Sequence, residues 1–353
     1  ALPKEEQGKA ELMLSSMSNN FESLGEQVMA TGLFAQVIPF DEKREEFSPE
    51  LKKYREEGGN FAKNLFHRIR FTRLYAKLEE TYIPVDLRAY KDIYVFCDSD
   101  PIGYYLNQKH IYYHGVEDGL NCLVHFDVAR YDNRGHFKLK AFLSKRLNLI
   151  FVQNGYGKYC RDMEVNDISA IEAPCPYYIE LPRKQLTERL TTEDKQILIR
   201  IFVRNLERLQ REMEASKDLK NKVLILTDPL CDLETRRRIF SDIIETYSVQ
   251  DGEKTQIFIK PHPRDELDYE KYFSQYPIFD GTVPMELLNF FPGLHFQKAV
   301  TVFTDLKGIA FADEVIRLGD AFMDKYEDPE IHNQNARAGL KVSAPEKIQL
   351  NKE

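Results

Sequence analysis

Short apolar runs alternate with longer stretches of helical periodicity along the whole chain, and this alternation constrains the fold more than any other feature. Strands that alternate with helices pair in parallel, because each intervening helix carries the chain back to the start of the next strand. The sequence therefore predicts an α/β protein built on parallel sheets. The runs predicted as strands are AELMLSS, QVIPF, DIYVFCD, HIYYHGVEDG, LNLIFVQ, KVLILTD, TQIFIKPHPRD and KAVTVFTD.

Helical patterns fill the segments between these runs. FESLGEQVMATG and a charged stretch at residues 49–80 are predicted helices, as is TRRRIFSDIIETYS. Residues 191–217 also carry apolar side chains at helical spacing, and Thr191 or Thr192 is a suitable N-cap. After Thr304 we expect a further helix, in GIAFADEVIRLG.

The chain is long enough for two domains. Its 353 residues, 42% of them apolar, exceed what a single core usually organises. The two series of strands and helices meet near residue 185, around IELPRKQL. We therefore expect an N-terminal domain at residues 1–185 and a C-terminal domain at residues 186–335. Residues 336–353 form a polar tail, which we expect to be loosely ordered.

Composition argues against several classes of protein. A net charge of −8 argues against a general nucleic-acid binder, because such proteins need a basic surface to face phosphates. The five cysteines include no CxxC pair, which argues against a disulfide framework or a zinc site. No apolar run approaches the ~18 residues of a membrane span, and the N-terminus lacks a signal pattern. These features predict a cytoplasmic protein.

One basic run is a candidate for peripheral contact with the inner face of the cell membrane. Residues 236–238 are three consecutive arginines within TRRRIF, and such clusters are attracted to anionic lipid surfaces. An exposed helix face that binds nothing is the alternative, because short charge clusters are normally solvated.

A histidine between two prolines stands where a buried strand is predicted to end, in KPHPRDE after TQIFI. Ligands of open α/β sheets bind outside the carboxyl ends of the strands. Pro261 and Pro263 restrict the backbone on both sides of His262, which suits a fixed donor to an anion. Lys260 and Arg264 flank this segment. In the alternative interpretation the prolines only end the strand, and His262 hydrogen-bonds a carbonyl group.

Two adjacent carboxylates, Glu117 and Asp118, precede Gly119 at the end of another predicted strand, HIYYHGVEDG. Glycine permits a tight turn or the close approach of a ligand. Neighbouring acids can hold different protonation states, and an ionised carboxylate at this position can act as general base toward a sugar hydroxyl. A solvated turn without a ligand is the alternative.

Two further segments of the second domain carry polar groups near strand or helix ends. Glu286, in FDGTVPMELLNFF, can accept two hydrogen bonds from a ribose diol, or it can interact only with the helix dipole. Thr304, in KAVTVFTDLKG, can face a phosphate at a helix N-terminus, or it can serve only as a cap.

In chain order, EDG, HP, PMEL and VFTD resemble the motifs of the bacterial sialyltransferases. The likeness is to glycosyltransferase families 52 and 97, which include capsule and lipooligosaccharide sialyltransferases. It extends over most of the chain, through SSMSNNFESLGE, DSDPIGYYLN, YGKYCRDMEVND and LTDPLCDL. The resemblance implies a GT-B glycosyltransferase fold, in which two Rossmann-like domains face each other across a cleft and the C-terminal domain holds CMP.

The resemblance also implies an inverting sialyltransferase. Such an enzyme would transfer sialic acid from CMP-sialic acid to a galactose-containing bacterial surface glycan, in an α-2,3 linkage. Asp118 would remove the proton from the acceptor hydroxyl, and inversion follows from a single displacement. His262 would hydrogen-bond the departing CMP phosphate as negative charge grows on it. A homodimer is a further expectation, because family members can associate in pairs.

The remaining substrate contacts follow from the same resemblance. Thr304, at its helix N-terminus, would hold the phosphate, and Glu286 would hold the ribose. Thr227 would line the nucleotide pocket, and Lys260 and Arg264 would strengthen the positive field at the phosphate. The full set of implied substrate-binding residues is Glu117, Gly119, Thr227, Pro263, Arg264, Glu286, Thr304 and Asp305.

No metal and no cofactor are expected under this scheme, because fixed donors neutralise the charge that a cation otherwise would. The nearest candidate for a metal site is CDSDP, which holds Asp98 and Asp100 at a strand end. Carboxylates in such a place fit a Mg²⁺ or Mn²⁺ site. We favour instead a role for this segment in shaping the acceptor side.

The chain departs from the family pattern at two places. Relatives commonly show two adjacent hydroxyl residues where this chain has Thr304 and Asp305, and a carboxylate beside a phosphate is unfavourable unless it pairs, for example with Lys307. ALPKEEQGK resembles the end of a first helix, so we expect the family's first strand to be missing. Two alternative functions stay open, a GT-B enzyme that uses another nucleotide sugar and a glycan-binding relative without catalysis.

Overall fold

The chain divides into two compact units, Ala1–Leu190 and Thr191–Glu353, compared with the boundary near residue 185 expected from the sequence. Both units alternate strands with helices and are built on parallel sheets, which confirms the α/β class. The structure is a computed structural model, and the residues that it describes are 8–16, 23–42, 48–55, 59–96, 98–119, 122–125, 127–203, 206–215, 221–250, 252–291, 293–304, 306, 308–328 and 346–349.

The N-terminal unit contains most of the elements that the sequence predicts. Its strands are β1 (Glu11–Ser15), β2 (Gln36–Phe40), β3 (Tyr94–Phe96), β4 (Tyr113–Val116), β5 (Cys160–Val165) and β6 (Tyr178–Glu180). Its helices are α1 (Leu24–Met29), α2 (Pro49–Arg55), α3 (Phe61–Glu79), α4 (Pro101–Lys109), α5 (Cys122–His125), α6 (Val128–Asp132), α7 (Phe137–Lys145) and α8 (Arg183–Glu188). Within the charged stretch at residues 49–80, the described residues form α2 and α3, as predicted.

Two parallel sheets organise this unit. β1 pairs with β2, and the second sheet has the strand order β3-β4-β5-β6. Phe40 of β2 packs in the same apolar core as Val95 of β3 and Tyr113 of β4. One core therefore connects the two sheets. Side chains that follow β4, at its carboxyl end, lie where α/β proteins place their ligands.

The segment LNLIFVQ, at residues 147–153, is not a strand, so this prediction is wrong. Ile150, Phe151 and Val152 are buried in it. The N–H of Phe151 donates to Thr72 Oγ1 (3.4 Å), and the N–H of Val152 donates to Ser144 Oγ (3.0 Å). Because side-chain oxygens satisfy these backbone donors, the segment can be buried without a neighbouring strand.

The C-terminal unit repeats the alternation of helices and strands. Its helices are α9 (Thr192–Phe202), α10 (Leu206–Ala215), α11 (Leu233–Tyr247), α12 (Tyr269–Phe273) and α13 (Gly319–Met323). Its strands are β7 (Lys222–Leu226), β8 (Val249–Gln250), β9 (Glu253–Lys254), β10 (Gln256–Lys260), β11 (Phe296–Thr301), β12 (Ala312–Arg317) and β13 (Glu346–Gln349). Thr191 caps α9 in a capping box with Asp194, which confirms the predicted helix start.

The main sheet of this unit has the strand order β10-β7-β11-β12-β13, with only β13 antiparallel to its neighbour. Val223 and Ile225 of β7 pack in one core cluster, while Leu224 and Leu226 pack in the other. Alternate residues of a strand point to opposite faces. The sheet is therefore covered on both faces, and its functional groups are confined to the strand ends and loops.

The helix expected in GIAFADEVIRLG is a strand, so this prediction is wrong. Ala312–Arg317 pairs in parallel with β11 as β12. Val315 and Ile316 are adjacent in sequence, yet they pack in the two different core clusters. A strand covered on both faces produces this continuous apolar run, which resembles a buried helix in the sequence alone.

The polar tail contains one element of regular structure. Glu346–Gln349 forms β13 at the edge of the sheet, so the expectation of loose order is wrong for these residues. The rest of the tail, 336–345 and 350–353, lies outside the described residues. Over the described ranges, no helix combines the length and the apolar character needed to cross a lipid bilayer.

Candidate functional site

The end of β4 carries the first group of candidate residues. Asp118 lies two residues beyond the strand and is exposed. Gly119 follows with a φ of 79°, a backbone conformation that side chains disfavour, and nothing lies within 4 Å of a Cβ built there. The turn therefore presents the Asp118 carboxylate to solvent beside open space.

Glu117 has a different position from the one predicted. Its side chain is only 2% exposed. Oε2 accepts the N–H of Asn166 (2.7 Å), and Oε1 accepts the N–H of Leu123 (3.3 Å). The structure corrects the predicted substrate contact, because this carboxylate is directed into the domain to satisfy backbone donors that would otherwise be buried and unpaired.

The backbone of Glu117 is held as firmly as its side chain. Its N–H donates to the carbonyl oxygen of Glu164 (2.9 Å), and its carbonyl oxygen accepts Arg183 Nη2 (2.7 Å). Glu117 thus fixes the position at which the Asp118–Gly119 turn begins. A rigid support of this kind limits the freedom that Asp118 loses when it acts on a substrate.

Asp98 is also directed inward. It is 1% exposed, and it accepts the N–H of Asn154 (2.7 Å) and the hydroxyl of Tyr113 (2.8 Å). Burial raises the pKa of this carboxyl above its usual value. These bonds hold the buried connection after α7 against the end of β3, a structural task. Asp100 lies at the N-cap position of α4.

In the C-terminal unit, His262 follows β10 directly after Pro261. Its backbone N–H donates to Thr227 Oγ1 (3.0 Å), and its ring Nδ1 accepts the N–H of Arg264 (3.1 Å). Partial burial, and next the nearby Arg264, lower the pKa of the imidazole. The ring is therefore neutral near pH 7, and because Nδ1 is an acceptor, the ring hydrogen is on Nε2.

A buried ion pair, Asp265 with Arg236, holds the threonine that anchors the backbone of His262. Thr227, which is 2% exposed, donates its hydroxyl to Asp265 Oδ2 (3.0 Å). Asp265 also accepts the hydroxyl of Tyr269 (2.7 Å) and pairs with Arg236 Nη1 (2.5 Å). The structure thus corrects the predicted place of Thr227 in a nucleotide pocket, since its hydroxyl is already committed to the His262 backbone and to Asp265.

Two of the three arginines in the basic run TRRRIF are paired within the protein. Arg236 is buried against Asp265, and Arg237 pairs with Glu234 on the same helix, Nη2 to Oε1 at 2.6 Å. Only Arg238 of the three is exposed in the described structure. The run is therefore a poor membrane contact, and this correction follows from the buried partner that the sequence did not reveal.

Lys260 is almost fully buried, contrary to the expectation that it adds to a field at the phosphate. Nζ donates to the carbonyl oxygens of Pro261 (2.7 Å) and Gly281 (3.0 Å). Burial lowers the pKa of Lys260 to about 8, and nearby Asp280 and Glu286 partly oppose that shift. The ammonium group joins the histidine loop to the loop that precedes Glu286. Arg264 and Pro263, by contrast, are exposed.

We expect this lysine to produce a pH-dependent stability. The pKa of Lys260 falls from its ordinary value of 10.5 to about 8 in the folded protein, so between these values only the unfolded chain binds the proton. The free energy of unfolding of the wild type, relative to Lys260→Met, should therefore rise with pH over that window, by up to ~3 kcal/mol. Urea unfolding of both proteins from pH 7 to pH 10.5 measures the difference, and a constant difference would contradict the assignment.

Thr304 is not at a helix N-terminus. The described residues from Thr304 to β12 contain no helix, and the Thr304 hydroxyl donates to Asp228 Oδ1 (2.6 Å). The other oxygen of Asp228 accepts Thr301 Oγ1 (3.0 Å) and the N–H groups of Val302 and Phe303 (both 3.2 Å). The predicted helix-end phosphate site is corrected accordingly. Asp305 and Lys307 lie outside the described residues.

Glu286 is exposed in the first turn of a 3₁₀ helix, Met285–Phe290, which follows Pro284. Its charge is near enough to the buried Lys260 to affect the pKa of that group. The His262 loop and the Glu286 segment are therefore neighbours through one ammonium group. A ligand that spans an anion contact and a diol contact matches this pair of groups.

Sequence reasoning missed the residues that hold these groups in place. Asp228 lies in LTDPL directly after Thr227, and Asp265 lies in KPHPRD directly after Arg264. Both carboxylates are buried and accept hydrogen bonds from several donors. A carboxylate in the loop after a buried strand, two residues beyond it for Asp228 and five for Asp265, was the available signal. Among the described residues, no three His, Cys, Asp or Glu side chains are grouped to hold a metal ion.

Each of the two α/β units carries a candidate group after a strand, an exposed carboxylate in the first unit and a neutral imidazole in the second. The family model of glycosyltransferase family 52 matches residues 35–305. The chain therefore belongs to glycosyltransferase family 52, and the predicted family membership and enzyme class are confirmed.

Individual relatives are distant. An uncharacterised protein of Haemophilus influenzae is 30% identical over 86 residues, which are 23% of this chain and 26% of that protein. The chain thus spans about a quarter of the length of this relative. An α/β-galactoside α-2,3-sialyltransferase from Photobacterium phosphoreum is similar in structure, with a TM-score of 0.45, 12% identity and coverage of 87% of this chain and 90% of that one.

Two other similar structures are those of a protein solved with UDP and of an enzyme named for a UDP-sugar. Staphylococcus aureus MnaA, solved with UDP, has a TM-score of 0.33 and 9% identity, and covers 83% of this chain and 73% of its own. The UDP-GlcNAc 2-epimerase of Methanocaldococcus jannaschii has a TM-score of 0.32 and 11% identity, with coverage of 83% and 78%.

Proposed function

We propose that this protein is an inverting sialyltransferase that transfers sialic acid from CMP-sialic acid to a galactose residue of a bacterial surface glycan, in an α-2,3 linkage. Membership of glycosyltransferase family 52 supports the reaction class. The observation that carries the mechanism is the fixed tautomer of His262, whose Nδ1 accepts the Arg264 N–H and whose Nε2 is left as a donor. An inverting transfer needs one such donor for the leaving group and one base for the acceptor.

Asp118 is the proposed base. As the acceptor oxygen attacks the anomeric carbon of sialic acid, its proton passes to the Asp118 carboxylate. The bond between that carbon and the phosphate oxygen breaks in the same displacement, so the configuration inverts and the electron pair leaves with CMP. The exposed turn at Asp118–Gly119, supported by the buried Glu117, suits a base that must reach a sugar hydroxyl.

His262 is the proposed donor to the leaving group. Negative charge grows on the phosphate as the bond breaks, and the Nε2–H of a neutral imidazole can stabilise it by a hydrogen bond. Arg264, exposed beside the histidine, is the proposed cationic contact to the phosphate, with Pro263 at the edge of the site. Thr304 borders this region, and Asp305, which lies outside the described residues, stays a predicted contact. Thr304 can donate to the phosphate only after its hydroxyl turns away from Asp228.

Glu286 is the proposed contact for the ribose of CMP. Its exposed carboxylate can accept both hydroxyl hydrogens of a diol. Lys260 would keep this segment at a constant distance from the His262 loop through its bonds to Pro261 and Gly281. Sugar and phosphate contacts on a common support would favour a nucleoside monophosphate donor. No divalent cation takes part in the proposed steps.

The test is nucleotide binding followed by transfer. We expect CMP to raise the melting temperature, because a ligand at 100 times its dissociation constant stabilises by ~2.7 kcal/mol, while UDP and GDP should have little effect. Transfer from CMP-sialic acid to a soluble galactoside should proceed in EDTA. Stabilisation by UDP or GDP instead of CMP would favour the second candidate, a glycosyltransferase with another donor. Activity lost in EDTA and restored by Mg²⁺ or Mn²⁺ would refute the metal-free mechanism.

A further inference from the structure

Two stretches of the N-terminal unit contain basic residues and no acidic ones, although the whole chain has a net charge of −8. The first is residues 59–78, which covers most of α3. The second is residues 133–161, which includes α7. Their basic residues are Lys63, Arg68, Arg70, Arg73 and Lys77 in the first stretch, and Arg134, Lys138, Lys140, Lys145, Arg146, Lys158 and Arg161 in the second.

The helix α7 separates its residues into an inner and an outer face. Phe137, Ala141 and Leu143 contribute to a core cluster, and Ser144 is fully buried. The residues exposed to solvent at helical spacing are Lys138, Leu139, Phe142 and Arg146, followed by Leu147. Phe142 is 53% exposed, Leu147 49% and Leu139 40%. Large apolar side chains and cations therefore share one surface.

The helix α3 lies against the same part of the unit. Its Leu65 and Ile69 pack in the core cluster that receives Phe137 of α7, and Arg68 donates to Asn133 Oδ1 (2.8 Å) just before α7. The solvent side of α3 carries Phe66, which is 51% exposed, followed by basic residues at helical spacing. These basic residues are Arg70, Arg73 and Lys77.

We propose that the α3–α7 surface, made of Phe66, Arg70, Arg73, Lys77, Lys138, Leu139, Phe142, Arg146 and Leu147, docks on an anionic lipid bilayer. Basic residues are attracted to the headgroups, and the apolar side chains between them can enter the interface. Large exposed apolar side chains that are grouped on one surface, rather than scattered singly, can mark an interaction site. A nucleic acid would pair with the cations but would leave the protruding leucine side chains in water, and so it fits the surface less well.

This inference does not depend on the identity of the sugar donor, because docking requires only the surface and the lipid. The cations of the α3–α7 surface come from stretches without acidic residues, whereas Arg236 and Arg237 of TRRRIF are paired with Asp265 and Glu234. The attraction should weaken as salt is raised, since the screening length falls from ~10 Å at 0.1 M to ~3 Å at 1 M.

The experiment is co-sedimentation of the full chain with vesicles, without donor or acceptor. We expect binding to vesicles of phosphatidylglycerol and phosphatidylcholine mixed equally, and at least about tenfold weaker binding to pure phosphatidylcholine. The double variant Lys138→Glu/Arg146→Glu should lose about tenfold or more in partitioning. Phe142→Ser should also bind more weakly than the wild type. This difference should persist in 0.5 M salt, because the apolar part of the interaction dominates there.

A matched control carries the same change of charge elsewhere. Arg238→Glu/Lys271→Glu replaces two exposed basic residues of the C-terminal unit, and its binding should stay within twofold of the wild type. Equal losses in the two double variants would overturn the assignment of the surface. Wild-type binding that does not distinguish the two kinds of vesicle would overturn the proposal itself. So would tighter binding to duplex DNA, or a loss of self-association in Lys138→Glu/Arg146→Glu without any vesicle binding.

Transfer to a soluble galactoside separates this inference from the proposed function. The α3–α7 variants should retain that activity, which also shows that they are folded. If no transfer from CMP-sialic acid is found in the wild type, the proposed function fails while the vesicle result stands by itself. In that case circular dichroism replaces the activity as the measure of folding.

Discussion

Asp118→Asn should lose sialic acid transfer by ~10²- to 10⁴-fold while it binds CMP like the wild type. An amide cannot accept the proton of the acceptor hydroxyl, and the nucleotide contacts that we propose are all in the C-terminal unit. Because Asp118 is exposed, the substitution should leave the melting temperature unchanged. Calorimetry with CMP and a transfer assay on a galactoside measure the two effects. Transfer at the parental rate would refute the choice of base.

Two control variants separate catalysis from support. Glu172→Gln removes an exposed carboxylate of the same unit and should have no effect. Glu117→Gln should instead lower the melting temperature, because an amide NH₂ placed near the N–H of Asn166 or Leu123 leaves donors unpaired, at a cost of ~1–3 kcal/mol. Its transfer rate should fall less than that of Asp118→Asn. If Glu117→Gln is stable and is the inactive member of the pair, the roles of the two acids are reversed.

Replacement of His262 should cost ~10²- to 10³-fold in turnover at saturating CMP-sialic acid, because it removes a donor directed at developing charge. The structure allows the two ring nitrogens to be tested separately. In His262→Asn the amide oxygen can accept the Arg264 N–H as Nδ1 does, but no donor remains at the position of Nε2. In His262→Gln an amide NH₂ can reach that position.

We therefore expect His262→Asn to keep the melting temperature and to lose activity as fully as His262→Ala. His262→Gln should recover part of the rate, and that part should not depend on pH near the pKa of the imidazole. Steady-state kinetics from pH 5 to pH 9 provide both measurements. Near-normal turnover of His262→Asn would mean that Nε2 does not serve the leaving group.

The placement of the strands was readable from the sequence because buried parallel strands are continuous apolar runs with polar residues at their ends. KVLILTD and TQIFIKPHPRD contain β7 and β10, and their ends correctly locate Thr227 and His262. The same rule fails for LNLIFVQ, since a buried run can satisfy its backbone through Thr72 and Ser144 instead of a neighbouring strand. Only tertiary partners decide between these two outcomes.

The support of the site could not be read from the sequence. Asp265 accepts from Thr227 and Tyr269 and pairs with Arg236, which come from three other elements or loops. Thr227 and Arg236 lie 38 and 29 residues before Asp265 in the chain, and only the fold brings them to it. Lys260 and Thr304 were misjudged for the same reason, because a short-range pattern shows which groups are present but not which of them are already bonded.

The anchoring of His262 through its backbone has a consequence for how substrate preference can change. The residue is attached to β7 by the Thr227 hydroxyl and to the buried Asp265–Arg236 pair behind it, so the imidazole moves with the sheet. Pro263, Arg264 and Glu286 are exposed and lie outside that attachment. Substitutions at these rim positions can therefore alter which nucleotide or sugar is accepted while the leaving-group donor stays in place. Evolution, or an engineer, can vary recognition here without rebuilding the chemistry.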